Sequence, residues 1–386
     1  MNNFLIILLD GVGVGELPDA KNYGDVGSNT LGNIAKKLNG ISLPNLQKLG
    51  LGNIININGV PKADLPLASF GKMIEKSQGK DSISGHWEIS GLELDFDFPY
   101  YPKGFPKNII DKFLEINGFN GVLGNKAASG TEIIMELGDE HIKTGFPIVY
   151  TSADSVFQIA AHEEIIPLKK LYEICERSRN DIFIKDDKIG RIIARPFIGT
   201  SGNYYRTTNR KDYAVSPPNE TILDLLKKNN IETIAIGKIN DLFNNRGITQ
   251  PIKSKSNEEG IEKIIYSIKH NKNSFIFANL VDFDVYYGHR NDSIGFAKAL
   301  KDFDINLPQI LNLLDETDIL IITADHGNDP TTPSTDHSRE FIPLLSYQKG
   351  KVGIDLGVRK TFSDIGKSTA QFFGVPNNLK IYLTSY

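Results

Sequence analysis

Residues 319–330 read ILIITADHGNDP. The first five, Ile319 to Thr323, are apolar and mostly β-branched, the pattern of a strand buried on both faces, and the run ends abruptly in Asp325, His326 and Gly327. A carboxylate and an imidazole therefore stand where a buried strand surfaces. The same arrangement occurs twice more: Phe4 to Leu9 (FLIILL) runs into Asp10 and Gly11, and Phe275 to Val281 (FIFANLV) runs into Asp282, Asp284 and then His289. In an open parallel sheet, ligands bind beyond the carboxyl ends of the strands, so these acidic and imidazole groups are expected to converge there. Clustered carboxylates repel one another, and divalent cations are the usual remedy.

The rest of the chain gives this site a globular frame. At 386 residues, 40% hydrophobic and 23% charged, it has length for two domains and material for a sizeable core. A formal net charge of -4 gives no reason to expect nucleic acid as a partner. The apolar runs are strand-length, well short of the roughly 20 residues that span a bilayer, so no membrane span is expected. Met1 is followed by Asn2 and Asn3 with no basic run, and the first apolar run ends in Asp10, which argues against a secretory leader. Cys175, the single cysteine, cannot form an internal disulfide and suits a reducing compartment, so the cytoplasm is the expected location. It reads as a buried, inert thiol.

After the first strand comes GVGVGE, which invites a dinucleotide-binding reading and fails it in detail. Glu16 occupies the third glycine position, and Asp10 would meet a pyrophosphate with like charge. Ser28 to Leu38 and Leu43 to Leu49 read as helical turns packing Leu31, Ile34 and Ala35 inward. The polar run GKDSISGHWEISG, Gly79 to Gly91, sets Ser82 and Ser84 beside Asp81 and His86. A serine before a helix start is ordinarily a cap. Next to a metal cluster it acquires a second reading: a hydroxyl at a helix N-terminus on a divalent ion is an activated nucleophile whose phosphorylated form is stabilised. Trp87, the sole tryptophan, reads as a packing anchor with its N–H hydrogen-bonded.

Two proline-rich connectors, Phe96 to Asn108 and Val215 to Asn219, bracket a domain-sized segment that reads as an insertion. The expected division is a core of residues 1–98 and 217–386 with an inserted domain of residues 99–216. The insertion mixes a helix, Pro167 to Arg177, with short strands, Ile148 to Thr151 and Ile192 to Pro196. It carries Thr151 to Ser155 (TSADS), Arg191, Arg195 and Tyr204 to Tyr213 (YYRTTNRKDY), whose cations and hydroxyls suit phosphate or sugar oxygens. From Glu220 the chain alternates helix and strand: a helix to Lys228, strand Glu232 to Ile236, helix Asn257 to His270, a helical stretch Ser293 to Leu314 interrupted near Pro308, strand Phe341 to Tyr347 and helix Ser363 to Phe373. This is βαβ wrapping. Lys238, at a strand's carboxyl end, is a candidate substrate contact.

The candidate ligands are thus Asp10, Asp284, His289, Asp325, His326 and His337, with Ser82 as a hydroxyl. Three of the seven histidines follow the aspartate-ended strands, which chance rarely arranges. Nitrogen and oxygen ligands without cysteine suit two divalent ions, Mn²⁺ or Zn²⁺. Two such ions roughly 3.5 to 4 Å apart clamp a phosphoryl group in transfer.

The runs LLDGVGVGE, GKDSISGHWEISGL, GNKAASGTEII, YTSADSVFQIAAHEE, IARPFIG, NLVDFDVYYGHR and ITADHGNDPTTPSTDH strongly resemble the bacterial phosphopentomutase family of the alkaline phosphatase superfamily. The resemblance extends from the first strand to the last helix, insertion included. It implies an α/β fold: an alkaline-phosphatase-like core with a mainly parallel sheet flanked by helices, plus an inserted α+β cap domain. One metal ion, expected to be Mn²⁺, would be held by Asp10, Asp325, His326 and the nucleophile oxygen, and a second by Asp284, His289 and His337. Ser82 stands where the family has its nucleophilic threonine, and Ser84 is its neighbour. Ser152 and Asp154 would contact the pentose, while Arg191, Arg206 and Lys238 would hold the phosphate not in transfer.

The implied reaction interconverts ribose 1-phosphate, or the 2-deoxy sugar, and the 5-phosphate through phosphorylated Ser82 and a pentose bisphosphate. Glucose 1,6-bisphosphate would prime the enzyme. A polar lid suits such chemistry, because a phosphoserine beside two metals is prone to hydrolysis. Small phosphosugars are the expected partners, with no protein partner evident. A metal-dependent phosphatase or sulfatase, or a phosphoglycerate-type mutase, on the same core is the alternative.

Overall fold

The computed structural model describes residues 2–152, 155–183 and 189–376. The described residues contain fourteen strands: β1 Phe4–Leu9, β2 Ala68–Met73, β3 Leu123–Ala127, β4 Ile148–Thr151, β5 Val156–His162, β6 Arg191–Thr200, β7 Asn203–Arg206, β8 Lys211–Ala214, β9 Glu232–Ile236, β10 Gln250–Ile252, β11 Ser274–Leu280, β12 Ile319–Thr323, β13 Ile342–Tyr347 and β14 Asp355–Arg359. They fall into two compact units. One comprises the segments up to Asp97 and from Ser216, the other Phe98–Val215.

The first unit is built on an eight-stranded sheet of order β10-β9-β11-β1-β12-β13-β2-β14. Only β13 runs against its neighbours. At its centre β1, β11 and the last four residues of β12 are buried on both faces, as their unbroken apolar character requires. The parallel register sets Leu9 opposite Leu280 and Leu8 opposite Thr323. Asp10, Asp284 and Asp325 therefore leave the sheet at one level. That alignment creates the site.

Helix Ser293–Leu313 is continuous through Pro308, where the sequence suggests an interruption. Proline removes the bond that would reach the carbonyl of Asp304. Asn45 Nδ2 takes that acceptor instead, at 2.9 Å, and the Asp304 carboxylate in turn accepts from the backbone N–H groups of Asn45 and Leu46 at 3.1 and 2.7 Å. Strands β2 and β14 have no counterpart in the sequence reading; both lie at one side of the sheet.

The second unit is α+β, with a mixed sheet β3-β4-β5-β6-β7 and β8 beside β6. One apolar cluster joins helices Lys107–Asn117 and Leu168–Asp181 to a face of the sheet through Phe113, Phe157, Leu171 and Ile192. Helix Gly130–Thr144 packs on the other through Ile133, Ile134, Tyr150 and Phe197. Cys175 lies in the first cluster, where burial pushes its thiol far above the usual range. No helix among the described residues is long and apolar enough to cross a membrane.

Candidate metal centre

Asp10, Asp325 and His326 emerge from β1 and β12 and are completely or almost completely buried, at 0, 0 and 1% exposure. Their ligand atoms lie within 4.8 Å of one another. His326 Nε2 is 3.5 Å from Asp10 Oδ1, 3.2 Å from Asp325 Oδ2 and 3.2 Å from Ser82 Oγ. Ligand atoms about 2.1 Å from a tetrahedral ion lie roughly 3.4 Å from one another, so the spacing suits a metal. Asp10 Oδ1 is buried and accepts no hydrogen bond, a costly arrangement unless a cation faces it.

A second group, Asp284, His326 and His337, satisfies the same distance limit. His289 adjoins it, with Nε2 3.3 Å from Asp284 Oδ2, while His337 Nε2 is 3.3 Å from Asp284 Oδ1. Geometry thus sets His326 between the two groups, its ring stacked on His337 with centroids 3.8 Å apart. All three imidazoles are aimed alike. Nδ1 of His326, His289 and His337 meets the carbonyl of Gly327, Thr335 and Lys80 at 3.1, 2.7 and 3.0 Å, which leaves each Nε2 facing the carboxylates.

The electrostatics describe a site built around missing positive charge. Burial and the neighbouring Asp325 carboxylate push Asp10 up to about 7. Burial also works against ionised Asp325, but His326 and His86 outweigh it and bring the group down to about 2. At Asp284 burial is outweighed by His337 and His289, which hold the carboxyl well below its usual range. Burial lowers His326 to about 4, so its imidazole is neutral near neutrality, the form a metal binds.

Ser82 opens helix Ser82–Ile89, whose N-cap is Asp81. The Asp81 carboxylate accepts from the N–H groups of Ile83 and Ser84 at 2.9 and 3.2 Å and from Ser84 Oγ at 2.7 Å. Ser84 is thereby engaged in the cap, while the Ser82 hydroxyl faces His326. Trp87 is fully buried and donates to the Leu242 carbonyl at 3.0 Å.

Lys238 follows β9, and its Nζ is 3.8 Å from Asp10 Oδ2. In the second unit, Ser152 follows β4 and Arg191 opens β6, both at the sheet end where β5 begins. Arg191 Nη1 is 3.8 Å from Asp212 Oδ2. Arg206 closes β7 opposite Phe197, further along β6. Asp154 lies outside the described residues.

Several residues of the site escape sequence reasoning. Asn328 Nδ2 donates to Asp284 Oδ1 at 2.7 Å, and Asn279 Nδ2 to Asp10 Oδ2 at 3.0 Å. Glu340 lies buried beneath the loops after β1 and β12, accepting from Gly15 N, Thr30 N, Thr30 Oγ1 and Ser338 Oγ at 3.1, 2.9, 2.8 and 2.7 Å. A Cβ on Gly13 or Gly327 would collide with its side chain, so these glycines make room for a carboxylate rather than for a nucleotide. An amide inside the apolar run FIFANLV is the one signal that could have marked Asn279.

A buried constellation of this kind on the strand ends of a mainly parallel sheet is the mark of a metalloenzyme, and the metalloenzyme superfamily profile matches residues 2–377. Curated relatives named phosphopentomutase resemble the chain over nearly its full length. That of Dictyoglomus thermophilum is 58% identical over 98% of this chain and 96% of the relative, and that of Acetivibrio thermocellus 55% identical over 98% of each. The chain belongs to the phosphopentomutase family within the metalloenzyme superfamily. A solved Pyrococcus horikoshii protein shares the fold, with a TM-score of 0.51 at 16% identity over 98% of this chain and 99% of that one.

Proposed function

We propose that the chain acts as a phosphopentomutase, an isomerase that interconverts ribose 1-phosphate, or its 2-deoxy analogue, and the 5-phosphate with Ser82 as the phosphoryl carrier. The observation that carries this reading is the Ser82 hydroxyl 3.2 Å from His326 Nε2, beside the buried Asp10 Oδ1 that accepts no hydrogen bond, in a chain of this family. Asp10, Asp325, His326 and Ser82 hold one divalent ion; Asp284, His289 and His337 hold the other. The nitrogen and oxygen donors suit Mn²⁺ or Zn²⁺, of which Mn²⁺ is the ion expected here. When bound, such ions polarise phosphoryl oxygens and lower the pKa of a coordinated hydroxyl.

The chain's own groups do the rest. Phosphorylated Ser82 passes its phosphoryl group to the free hydroxyl of the pentose phosphate, so that the Oγ–P bond breaks and the sugar O–P bond forms. The phosphoryl group at the other end of the bisphosphate then returns to Ser82 Oγ. Ser152 and Asp154 contact the sugar, and Arg191, Arg206 and Lys238 hold the phosphate at rest, as the family resemblance implies. Glucose 1,6-bisphosphate supplies the first phosphoryl group. Residues 99–216 serve as the cap domain of this reaction, and the buried lone thiol of Cys175 fits a cytoplasmic location.

The test is conversion of ribose 1-phosphate to ribose 5-phosphate with Mn²⁺ after priming. Wild type and Ser82→Thr convert the sugar and Ser82→Ala does not. Release of inorganic phosphate at the rate of substrate loss would instead mark a phosphatase.

A further inference from the structure

Two buried polar side chains beside Ser82 have no part in the reaction as described. His86 is wholly buried one turn along the helix from Ser82, its ring stacked on Phe277 with centroids 5.8 Å apart. Asn279 is the sole amide of β11. Its Nδ2 lies 3.0 Å from Asp10 Oδ2 and 3.0 Å from His86 Nε2. An amide NH₂ offers two hydrogens and accepts nothing, so both contacts are donations. His86 Nε2 is therefore the acceptor, and the network assigns its proton to Nδ1. That nitrogen is 2.7 Å from the Ser82 carbonyl and 3.1 Å from Asp325 Oδ2. One imidazole thus touches the backbone of the nucleophile and one carboxylate directly, and reaches the other carboxylate through one amide.

We infer that His86, acting with Asn279, is a positioning residue for one metal site alone: it fixes the carboxylates of Asp10 and Asp325 relative to Ser82. With Asp10 Oδ2 held by Asn279, Oδ1 is left toward His326; with Asp325 Oδ1 accepting from Gly11 N at 3.2 Å, Oδ2 is left toward the same nitrogen. The other ligand set has separate supports. Asn328 holds Asp284, and the carbonyls of Thr335 and Lys80 hold His289 and His337.

This inference rests on the metal reading, and one titration separates the two. Mn²⁺ alone is added to the full chain and binding is followed by calorimetry and electron paramagnetic resonance. Wild type takes up two ions; a wild type that does not do so overturns the metal reading itself. Given two ions, His86→Phe keeps a ring against Phe277 but removes both nitrogens, and weakens one site about 10- to 100-fold while the other is unchanged. His86→Asn, with an amide nitrogen near the place of Nδ1, recovers part of that loss, which a purely space-filling role does not predict. Asn279→Leu, on a different element, weakens the same site and decides the matter if His86→Phe does not fold. Wild-type affinity at both sites in either variant, or equal loss at both, overturns the inference.

Discussion

In the proposed site a proton on Asp10 competes directly with a metal ion. Burial and the Asp325 carboxylate bring this group to about 7 in the metal-free chain, whereas His326, at about 4, has already lost its proton. A ligand must be deprotonated to bind, so the affinity of this site for Mn²⁺ falls about tenfold per pH unit below roughly pH 7 and levels off above it. Calorimetry in buffers of different ionisation enthalpy measures both the slope and the proton released; equal affinity at pH 5.5 and pH 8 would refute the assignment. The two neighbouring serines differ as sharply. Ser84→Ala loses the bond to Asp81 and about 1 kcal/mol of stability, yet still forms the phosphoenzyme on incubation with glucose 1,6-bisphosphate. Ser82→Ala gains no phosphoryl mass.

The elements show where local pattern suffices and where it does not. The three central strands were legible because nothing but a strand buried on both faces explains FLIILL, FIFANLV and ILIIT. Their shared register, which makes the site, follows from the parallel pairing. Pro308 misleads because its consequence depends on Asn45, far away in sequence: a freed carbonyl breaks a helix only when nothing else satisfies it. Asn45→Ala should cost about 1–3 kcal/mol in urea unfolding while leaving turnover unchanged. Glu340 was illegible for a similar reason. A carboxylate next to an apolar strand reads as a surface residue until Gly13 and Gly327 are seen to make space for it.

At the scale of the whole molecule, the candidate metal-ligand clusters found among the described residues lie in one unit only. Removing metal with a chelator withdraws binding energy from that unit, about 2.7 kcal/mol if metal had stood at a hundred times its dissociation constant. Hydrogen exchange should then quicken in β1, β11 and β12 and stay unchanged in β4, β5 and β6; a uniform change would refute this. The insertion was visible in the sequence as an interruption between proline-rich connectors. The side-chain positions within it depend on strand pairing that no local signal reports: the chemistry of Ser152, Arg191 and Arg206 suits phosphate or sugar oxygens, but only the resemblance gives each a particular role.

The position of β1 in the sheet has a consequence for biosynthesis. Of the described strands it comes first in the chain, and both of its partners, β11 and β12, come from the last third. On the ribosome its apolar run must wait without either neighbour while more than two hundred residues emerge, an exposure that invites chaperones. The candidate ligands divide along the same line: Asp10 is made early, and Asp284, His289, Asp325, His326 and His337 late. On the proposed reading metal loading is one of the last events in the maturation of this protein, and a chain truncated before β11 carries β1 without either of its partner strands.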